Sequence, residues 1–398
     1  MASPRTGSLA ALIGVVLVGM TGFGVFLPIF PFLGLHLGAT PTAITIAMGA
    51  YSLGQLISAA AWGRLSDRIG RKPVLIIGLL GGAASYLMLA QADTISGLGG
   101  ARLFGGLMAG NVGAAFAAAA DLADEKTRAR NMGLLGAAVG FAFIAGPLFG
   151  AELIGATPDA AGFDRVCYVS ACFGLLAAFG ALVLFRETLP LGERRASDAL
   201  PVRRFALMRD RPTLARFAAI MFLMIAAQAL METTFGLWAD ARLQWGPREV
   251  GWSLGALGLG AALLQGGGAG RAARVLGERM TLLIGLALFA AGFGGLAVAQ
   301  ELAGAVSGMI ALMLGIGLAG PALQSLIASQ AGEEERGAVM GLSQSAAALG
   351  RVAGPLGAGA LFDAIGPSAP FVAGALILLA ALFVSTAEPA ASHASSRG

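Results

Sequence analysis

A carboxyl group within an apolar segment is the first feature of this sequence that could do chemistry. Glu232 follows Gln228-Ala-Leu-Met and precedes Thr-Thr-Phe235, in a stretch that otherwise has the composition of a membrane helix. Placing an acid there is costly, about 2.5–3.5 kcal/mol for Asp at a helix centre on insertion scales. Such a group can hold either a proton or a cationic ligand, and competition between the two would couple their movements. The alternative is a permanently protonated Glu232 that is hydrogen-bonded within its own helix bundle.

Arg102 is a basic residue in a second apolar segment, in the run Arg102-Leu-Phe-Gly-Gly106. A buried guanidinium needs hydrogen-bond acceptors and is rarely retained without a use, so we expect Arg102 to have a role in proton coupling. The alternative is that the side chain of Arg102 extends to the outer surface, because Asp93 lies within ten residues of it.

Polar and aromatic side chains in other apolar segments are candidates for the wall of a substrate cavity. They are Phe23, Phe26, Tyr51, Gln55, Gln228, Phe235 and Gln324. A cavity with few polar groups and many apolar ones suits lipophilic compounds. The alternative for each of these residues is ordinary packing within a helix bundle.

A charged loop runs from Gly63 to Pro73, with the sequence GRLSDRIGRKP. We expect Gly63 to allow two helices to approach closely and Gly70 to adopt a positive φ angle in the turn. Asp67 and Arg71 carry opposite charges within this loop. The alternative is that the basic residues only hold the loop on the cytoplasmic side of the membrane.

A glycine-rich segment with one proline occupies the fifth apolar block. Its members are Gly136, Gly140, Gly146, Pro147 and Gly150. Pro147 removes one backbone hydrogen bond and should kink the helix, while the glycines let a neighbouring helix pack closely. The alternative is packing alone, since the chain contains 61 glycines.

Long apolar blocks must position all of these residues. The chain of 398 residues is 57% hydrophobic and only 12% charged, with a mean hydropathy of +0.80, which excludes a soluble globular protein. About 20 apolar residues cross a bilayer as one helix. The blocks predict spans at 8–33, 42–63, 73–91, 95–119, 131–155, 164–185, 213–238, 248–269, 280–299, 303–327, 338–361 and 368–386.

Several classes of function are excluded by the same survey. Cys167 and Cys172 share one apolar block, which supports neither a disulfide framework nor a zinc site. The pI near 9.6 does not indicate nucleic-acid binding, because the basic residues lie between the spans. No nucleophile motif or phosphate-binding loop indicates an enzyme. We therefore expect no metal and no cofactor, and as partners a small-molecule substrate, protons and the lipid bilayer.

The distribution of lysine and arginine predicts that both termini lie in the cytoplasm. With the N-terminus inside, 21 of these residues fall in cytoplasmic segments and 3 in outer loops. The polar stretch 186–211 then predicts a cytoplasmic linker between a bundle at 1–185 and a bundle at 212–388, with a disordered tail at 389–398. Gly146-Pro147-Leu148 recurs as Gly354-Pro355-Leu356 after a shift of 208 residues, which indicates two related halves.

On these motifs the chain resembles the major facilitator superfamily, whose second loop has the pattern Gly, three residues, Asp, two residues, Gly-Arg. The stretch Gly63–Arg71 matches this pattern completely. The resemblance implies an all-α membrane protein of about twelve transmembrane helices in two six-helix pseudo-symmetric bundles. It also implies that Asp67, Arg71 and Asp121 form a latch that stabilises the outward-facing state. Arg102 matches the signature of the fourth span.

Within the superfamily the chain looks most similar to the tetracycline-exporter branch of drug:proton antiporters. Leu27-Pro-Ile-Phe-Pro31 and the segment Gly317 to Gln324 carry this similarity, and the glycines around Pro147 partly match the antiporter signature. The resemblance implies proton-coupled efflux of an amphipathic drug such as tetracycline, by a monomer in the bacterial inner membrane. That branch commonly has an acid in the first span, whereas residues 19–24 contain none. The alternative is proton-coupled uptake or exchange of a metabolite such as a sugar or an organic acid.

Overall fold

All regular secondary structure is helical in the part of the chain that the computed structural model describes, residues 4–124, 127–155, 158–189, 211–330 and 335–386. The first eight helices are α1 (Pro4–Phe26), α2 (Phe30–His36), α3 (Pro41–Ile69), α4 (Arg71–Ala90), α5 (Ile95–Leu107), α6 (Asn111–Asp121), α7 (Arg128–Ile154) and α8 (Ala160–Leu184). They are followed by α9 (Pro212–Leu243), α10 (Pro247–Leu263), a π-helical turn (Leu264–Gly268), α11 (Ala269–Leu276), α12 (Glu278–Val298), α13 (Leu302–Ser329), α14 (Arg336–Ile365) and α15 (Ala369–Thr386). Most of the predicted linker, 190–210, and the predicted tail, 389–398, lie outside the described residues.

Each predicted span corresponds to one helix or to consecutive helices, which confirms the all-α membrane fold. Ten helical stretches of the described chain are long and apolar enough to cross a membrane, judged by length and composition. The two remaining spans are α10 with its continuation through the π-helical turn into α11, and α14. The described helices therefore account for all twelve apolar blocks of the sequence.

Short polar caps fix where several of these helices begin. The side chain of Thr40 accepts a hydrogen bond from the backbone N–H of Ala43 at the start of α3. Asp159 does the same for Gly162 at 2.7 Å, at the start of α8. A cap satisfies one of the backbone donors that the first helical turn leaves unpaired. The start of each of these two helices is therefore determined by a residue in the turn that precedes it.

Two predicted spans are each two helices rather than one. The first span breaks at 27–29, where Pro28 cannot donate a backbone hydrogen bond. The fourth breaks at 108–110, and there the indole Nε1 of Trp62, on α3, donates to the carbonyl oxygen of Leu107 at 2.6 Å. This donor comes from a neighbouring helix, so the local sequence did not reveal the second break.

The described residues divide into two compact units. Unit 1 takes its residues from Met1–Asp198, Leu230–Leu259 and Val352–Pro370, and unit 2 from Ala199–Ala229, Gly260–Arg351 and Phe371–Gly398. The core of unit 1 contains buried apolar side chains of α1, α4, α6, α7 and α8, among them Leu12, Leu75, Ala118, Leu135 and Ala178. In unit 2, the buried rings of Phe289, Phe293 and Phe371 contact one another in sequence. The division at 186–211 into two bundles stays a prediction.

Candidate functional site

Arg102 lies inside unit 1, within a set of four aromatic rings. Its side chain is on α5 and the residue is only 5% exposed. The guanidinium carbon is 4.5 Å from the ring centroid of Tyr51, 5.5 Å from Phe23, 5.8 Å from Phe30 and 5.9 Å from Phe26. We call these four rings the aromatic cage. They stabilise the cation through the negative potential of the ring faces, and the alternative in which Arg102 extends to the outer surface is wrong.

Glycine at position 106 explains how the strongest ring contact is made. A Cβ atom at Gly106 would lie 2.8 Å from the carbonyl carbon of Tyr51, so α3 and α5 approach each other more closely here than any other residue would allow. Gly54, one turn further along α3, faces the carbonyl oxygen of Leu103 in the same way. Because Arg102 lies one turn before Gly106 on α5, this close approach holds the ring of Tyr51 over the guanidinium.

A cavity opens beside the cage, with about 470 Å³ of empty space when the solvent at its mouth is counted. Its lining includes polar side chains together with glycines and apolar groups. The polar members of the lining are Tyr51, Ser85, Tyr86, Arg102 and Asn111. No aspartate or glutamate is among the described residues that line it. The Nε atom of Arg102 is buried and has no hydrogen-bond acceptor in the described part of the chain.

The predicted cavity residues of the N-terminal half divide between this lining and the surrounding core. Phe23 and Tyr51 line the cavity, with their ring centroids 5.1 Å apart. Phe26 belongs to the cage, but it is buried at 1% exposure and is not among the residues that line the cavity. Gln55 is half-buried on α3, one turn beyond Tyr51, and is not among the lining residues.

Glu232 lies on α9 in unit 1 and is half-buried. One turn later, Gly236 faces α2, where an added Cβ atom would lie 3.3 Å from the side chain of Pro31. The neighbouring residue of α2, Phe30, belongs to the aromatic cage. Helix α2 therefore contacts both the environment of Arg102 and the part of α9 that carries Glu232.

The other predicted cavity residues, those of the C-terminal half, are not among the described residues that line this cavity. Phe235 is buried, with its ring stacked on Trp238 at 5.9 Å between centroids. Gln228 and Gln324 belong to unit 2, where both are half-buried. The side-chain oxygen of Gln324 is buried without a hydrogen-bond donor among the described residues.

The predicted latch is assembled around one guanidinium group. Arg71 forms an ion pair with Asp67 at 2.6 Å through one terminal nitrogen and with Asp121 at 3.0 Å through Nε. The same terminal nitrogen donates to the hydroxyl of Ser66 at 3.0 Å. The side chain of Arg71 is 12% exposed, so these charge-assisted hydrogen bonds are better shielded from water than those of a surface ion pair. Gly70 has the expected positive φ, +107°, which turns the chain from α3 directly into α4.

Glu187 and Thr188 complete this cluster, and sequence reasoning missed both. The carboxylate of Glu187 accepts hydrogen bonds from the backbone N–H groups of Arg71 at 2.9 Å and Lys72 at 3.1 Å, so it caps the start of α4. The hydroxyl of Thr188 donates to Asp121 at 3.2 Å. Both residues were assigned to the linker at 186–211. The available signal was that α4 begins after glycine, which has no side chain to cap the helix.

Two of the glycine interpretations do not agree with the structure. Gly63 is exposed, and an added Cβ atom would meet nothing within 4 Å among the described residues, so its assignment to a close helix contact is wrong. The same is true of Gly136 and Gly140, which face open space. By contrast, added Cβ atoms at Gly146 and Gly150 would overlap the backbone of α1. Only the second half of the glycine-rich segment therefore allows helices to pack closely.

Pro147 lies inside α7, next to these two close-packed glycines. An added Cβ atom at Gly24, on α1, would lie 3.4 Å from its ring. An added Cβ atom at Gly251, on α10, would lie 2.7 Å from its carbonyl oxygen. This part of α7 is thus held between α1 and α10 by residues without side chains on both neighbours.

Ten described helical stretches that can cross a membrane define a multi-pass membrane protein, and its first unit has a cavity and a charged cluster at the helix ends. The chain belongs to the Major Facilitator Superfamily, because the family model matches residues 12–242 and again 214–398. Two successive matches of this kind cover nearly the whole chain.

Comparisons with individual proteins agree with that assignment. The chain is 31% identical over 371 residues to the class G tetracycline resistance protein of Vibrio anguillarum, which covers 89% of this chain and 91% of that protein. It is similar in structure to the human organic anion transporter MFSD10 (TETRAN), with a TM-score of 0.71 at 24% identity, covering 96% and 100% of the two chains. The nucleoside transporter NupG gives a TM-score of 0.77 at 14% identity, covering 96% and 99%. The two solved structures confirm the fold, and the first relative supports the tetracycline-exporter branch.

Proposed function

We propose that this transporter is a proton-coupled exporter of an amphipathic drug, such as tetracycline or a related compound. The observation that carries the proposal is the similarity to a tetracycline resistance protein along almost the full length of both chains. The wall of the cavity supports it, because it presents apolar and polar side chains together, as an amphipathic ligand requires. We place the protein in the bacterial inner membrane as a monomer, with both termini in the cytoplasm.

Glu232 is the group that we assign to carry the proton. It is a carboxyl group within a membrane-spanning helix, and such residues commonly mark ion and proton pathways. Its helix packs on α2, which contributes Phe30 to the cage around Arg102. A conformational change that moves α2 would therefore affect both ionisable groups, and this is the coupling role that we propose for Arg102.

The latch of Asp67, Arg71 and Asp121 is the proposed conformational control. It joins the end of α3, the start of α4 and the end of α6 through one guanidinium group. Breaking it would free three helix ends at once. We propose that the intact latch stabilises the outward-facing state and that Pro147 and the glycines beside it form the flexible part of α7.

The proposal is tested in inverted membrane vesicles that are energised to an acid interior. Tetracycline is added, and release of protons from the vesicles is followed with a pH-sensitive acridine dye. The matched variants are Glu232→Gln and Asp240→Asn, because Asp240 is a half-buried acid two turns further along the same helix. We expect drug-induced proton release from the native protein and from Asp240→Asn, and none from Glu232→Gln.

Other outcomes separate the parts of the proposal. Proton release that persists in Glu232→Gln would still support drug:proton antiport, but it would show that Glu232 does not carry the proton. If neither tetracycline nor any other amphipathic compound causes proton release although the protein is folded, the proposal of proton-coupled export is wrong. The second candidate, proton-coupled exchange of a small organic acid, would then be favoured, because Arg102 is a buried cation beside a cavity.

A further inference from the structure

We infer that Arg102 and its aromatic cage bind an anionic group of the transported molecule, so that the substrate is an amphipathic anion or zwitterion. The inference depends on the proposed function in one respect, that the chain carries an amphipathic small molecule. It adds the sign of the charge which the binding site selects, and it assigns that selection to a particular residue.

The first reason is that Arg102 is a buried cation whose neighbours do not neutralise it. The residue is 5% exposed, and its Nε atom lacks an acceptor among the described residues. The described lining of the cavity contains no acidic side chain, and α1 has none at residues 19–24. Buried charges in folded proteins are normally paired with an opposite charge. An anion that enters this cavity would provide the missing partner.

The second reason is that the aromatic rings stabilise the guanidinium cation but leave its N–H donors available to a ligand. Four aromatic rings lie with their centroids 4.5–5.9 Å from the guanidinium carbon. Ring faces stabilise a cation, but they are weak hydrogen-bond acceptors. Guanidinium carries five N–H donors in a planar fork that matches the two oxygens of a carboxylate. The cage therefore keeps the cation in place without satisfying the donors that recognise an anion.

The third reason is the chemistry of the remaining wall. Asn111 adds an amide to the same lining, and its N–H groups can donate to an oxyanion. The hydroxyl of Ser85 already donates to the carbonyl oxygen of Ala101 at 2.8 Å. Met20 and Leu79 form an apolar part of the same lining. One cation, one further donor and an apolar wall fit a molecule that combines an anionic group with an apolar body.

The test uses three probes with one naphthalene ring and different charges: 1-naphthoate, 1-naphthamide and 1-naphthylmethylammonium. Binding to the purified protein in detergent is measured by isothermal titration calorimetry, without a proton gradient. We expect the native protein to bind 1-naphthoate at least about tenfold more tightly than the neutral amide, as one charge-assisted hydrogen bond implies. The ammonium probe should bind more weakly still.

Two variants assign the preference to Arg102. Arg102→Gln should bind 1-naphthoate and 1-naphthamide equally, while Arg102→Lys should keep part of the preference because it keeps the charge but loses the planar fork. Equal binding of the three probes to the native protein, or no binding of 1-naphthoate, would overturn the inference even if both variants fail to fold. An anion preference that persists unchanged in a folded Arg102→Gln variant would also overturn it.

The binding experiment and the vesicle experiment fail independently. If the protein prefers 1-naphthoate but shows no drug-induced proton release, the anion site is supported and proton-coupled export is contradicted. If cationic drugs cause proton release and the protein shows no preference for the anionic probe, export is supported and the anion site is contradicted.

Discussion

Replacing Gly106 with alanine should disturb the cage without changing any charged or aromatic side chain. The added Cβ atom would lie 2.8 Å from the carbonyl carbon of Tyr51 and 3.0 Å from its Cα atom. These are backbone atoms, so a change of rotamer cannot relieve the overlap, and α3 must move away from α5. Overpacking of this kind typically costs about 1–3 kcal/mol. The ring of Tyr51 would move with its backbone, away from the guanidinium of Arg102.

A glycine on the same helix provides the control. An alanine Cβ atom at Gly100 would meet nothing within 4 Å in the described part of the chain. Alanine is favoured over glycine in a helix by up to about 1 kcal/mol, so Gly100→Ala should be neutral or slightly stabilising.

Both variants are compared with the native protein by unfolding in mixed micelles of detergent and SDS, with helicity as the signal. We expect a lower free energy of unfolding for Gly106→Ala only. The same variant should bind 1-naphthoate more weakly, since one ring of the cage is displaced. A Gly106→Ala protein as stable as Gly100→Ala, with unchanged probe binding, would refute the close contact of α3 and α5 as the device that positions Tyr51.

Three further predictions concern contacts at the ends of the helices. Arg71→Lys should lower the rate of drug transport about tenfold at equal protein amounts in vesicles, because a lysine cannot bridge two carboxylates with a planar fork; an unchanged rate would contradict the latch. Asp363→Ala should reduce the free energy of unfolding in SDS by about 0.5–2 kcal/mol, because Asp363 accepts hydrogen bonds from both the backbone N–H and the hydroxyl of Thr42 at the start of α3. Trp252→Phe removes the 2.8 Å hydrogen bond to exposed Glu152, and in the same assay it should leave the free energy of unfolding almost unchanged; a clear loss of stability would mean that this contact is shielded from water.

Features encoded by neighbouring residues could be predicted from the sequence. The apolar blocks between charged and Gly/Pro turns located the helices of all twelve predicted spans, because crossing a bilayer requires a long apolar segment whatever the helix packs against. The positive φ of Gly70 was predictable from the turn in which it lies, whereas the pairing of Arg71 with Asp67 was implied by the family resemblance. The break of the fourth span was not predicted, and the carbonyl group just before it accepts a hydrogen bond from α3, a contact that the local sequence does not show.

Contacts between distant segments account for what the sequence did not reveal. Glu187 is separated from Arg71 by 116 residues, and its role as a helix cap is visible only in three dimensions. The two interpretations of Arg102, burial in the bundle or extension to the surface, differ only in which helices surround it. Gly63 and Gly106 look alike as helix glycines, yet only Gly106 has a backbone against it. The role of Glu232 in moving protons remains a prediction.

The most direct test of proton-coupled export uses proteoliposomes that contain only this protein. A pH gradient, acid inside, is imposed without other energy, and accumulation of radiolabelled tetracycline is followed together with the internal pH. We expect tetracycline to accumulate while the interior becomes less acid, with both changes absent in Glu232→Gln and present in Asp240→Asn. Accumulation that does not depend on the gradient, or a gradient that drives no accumulation by the folded native protein, would contradict proton-coupled drug export.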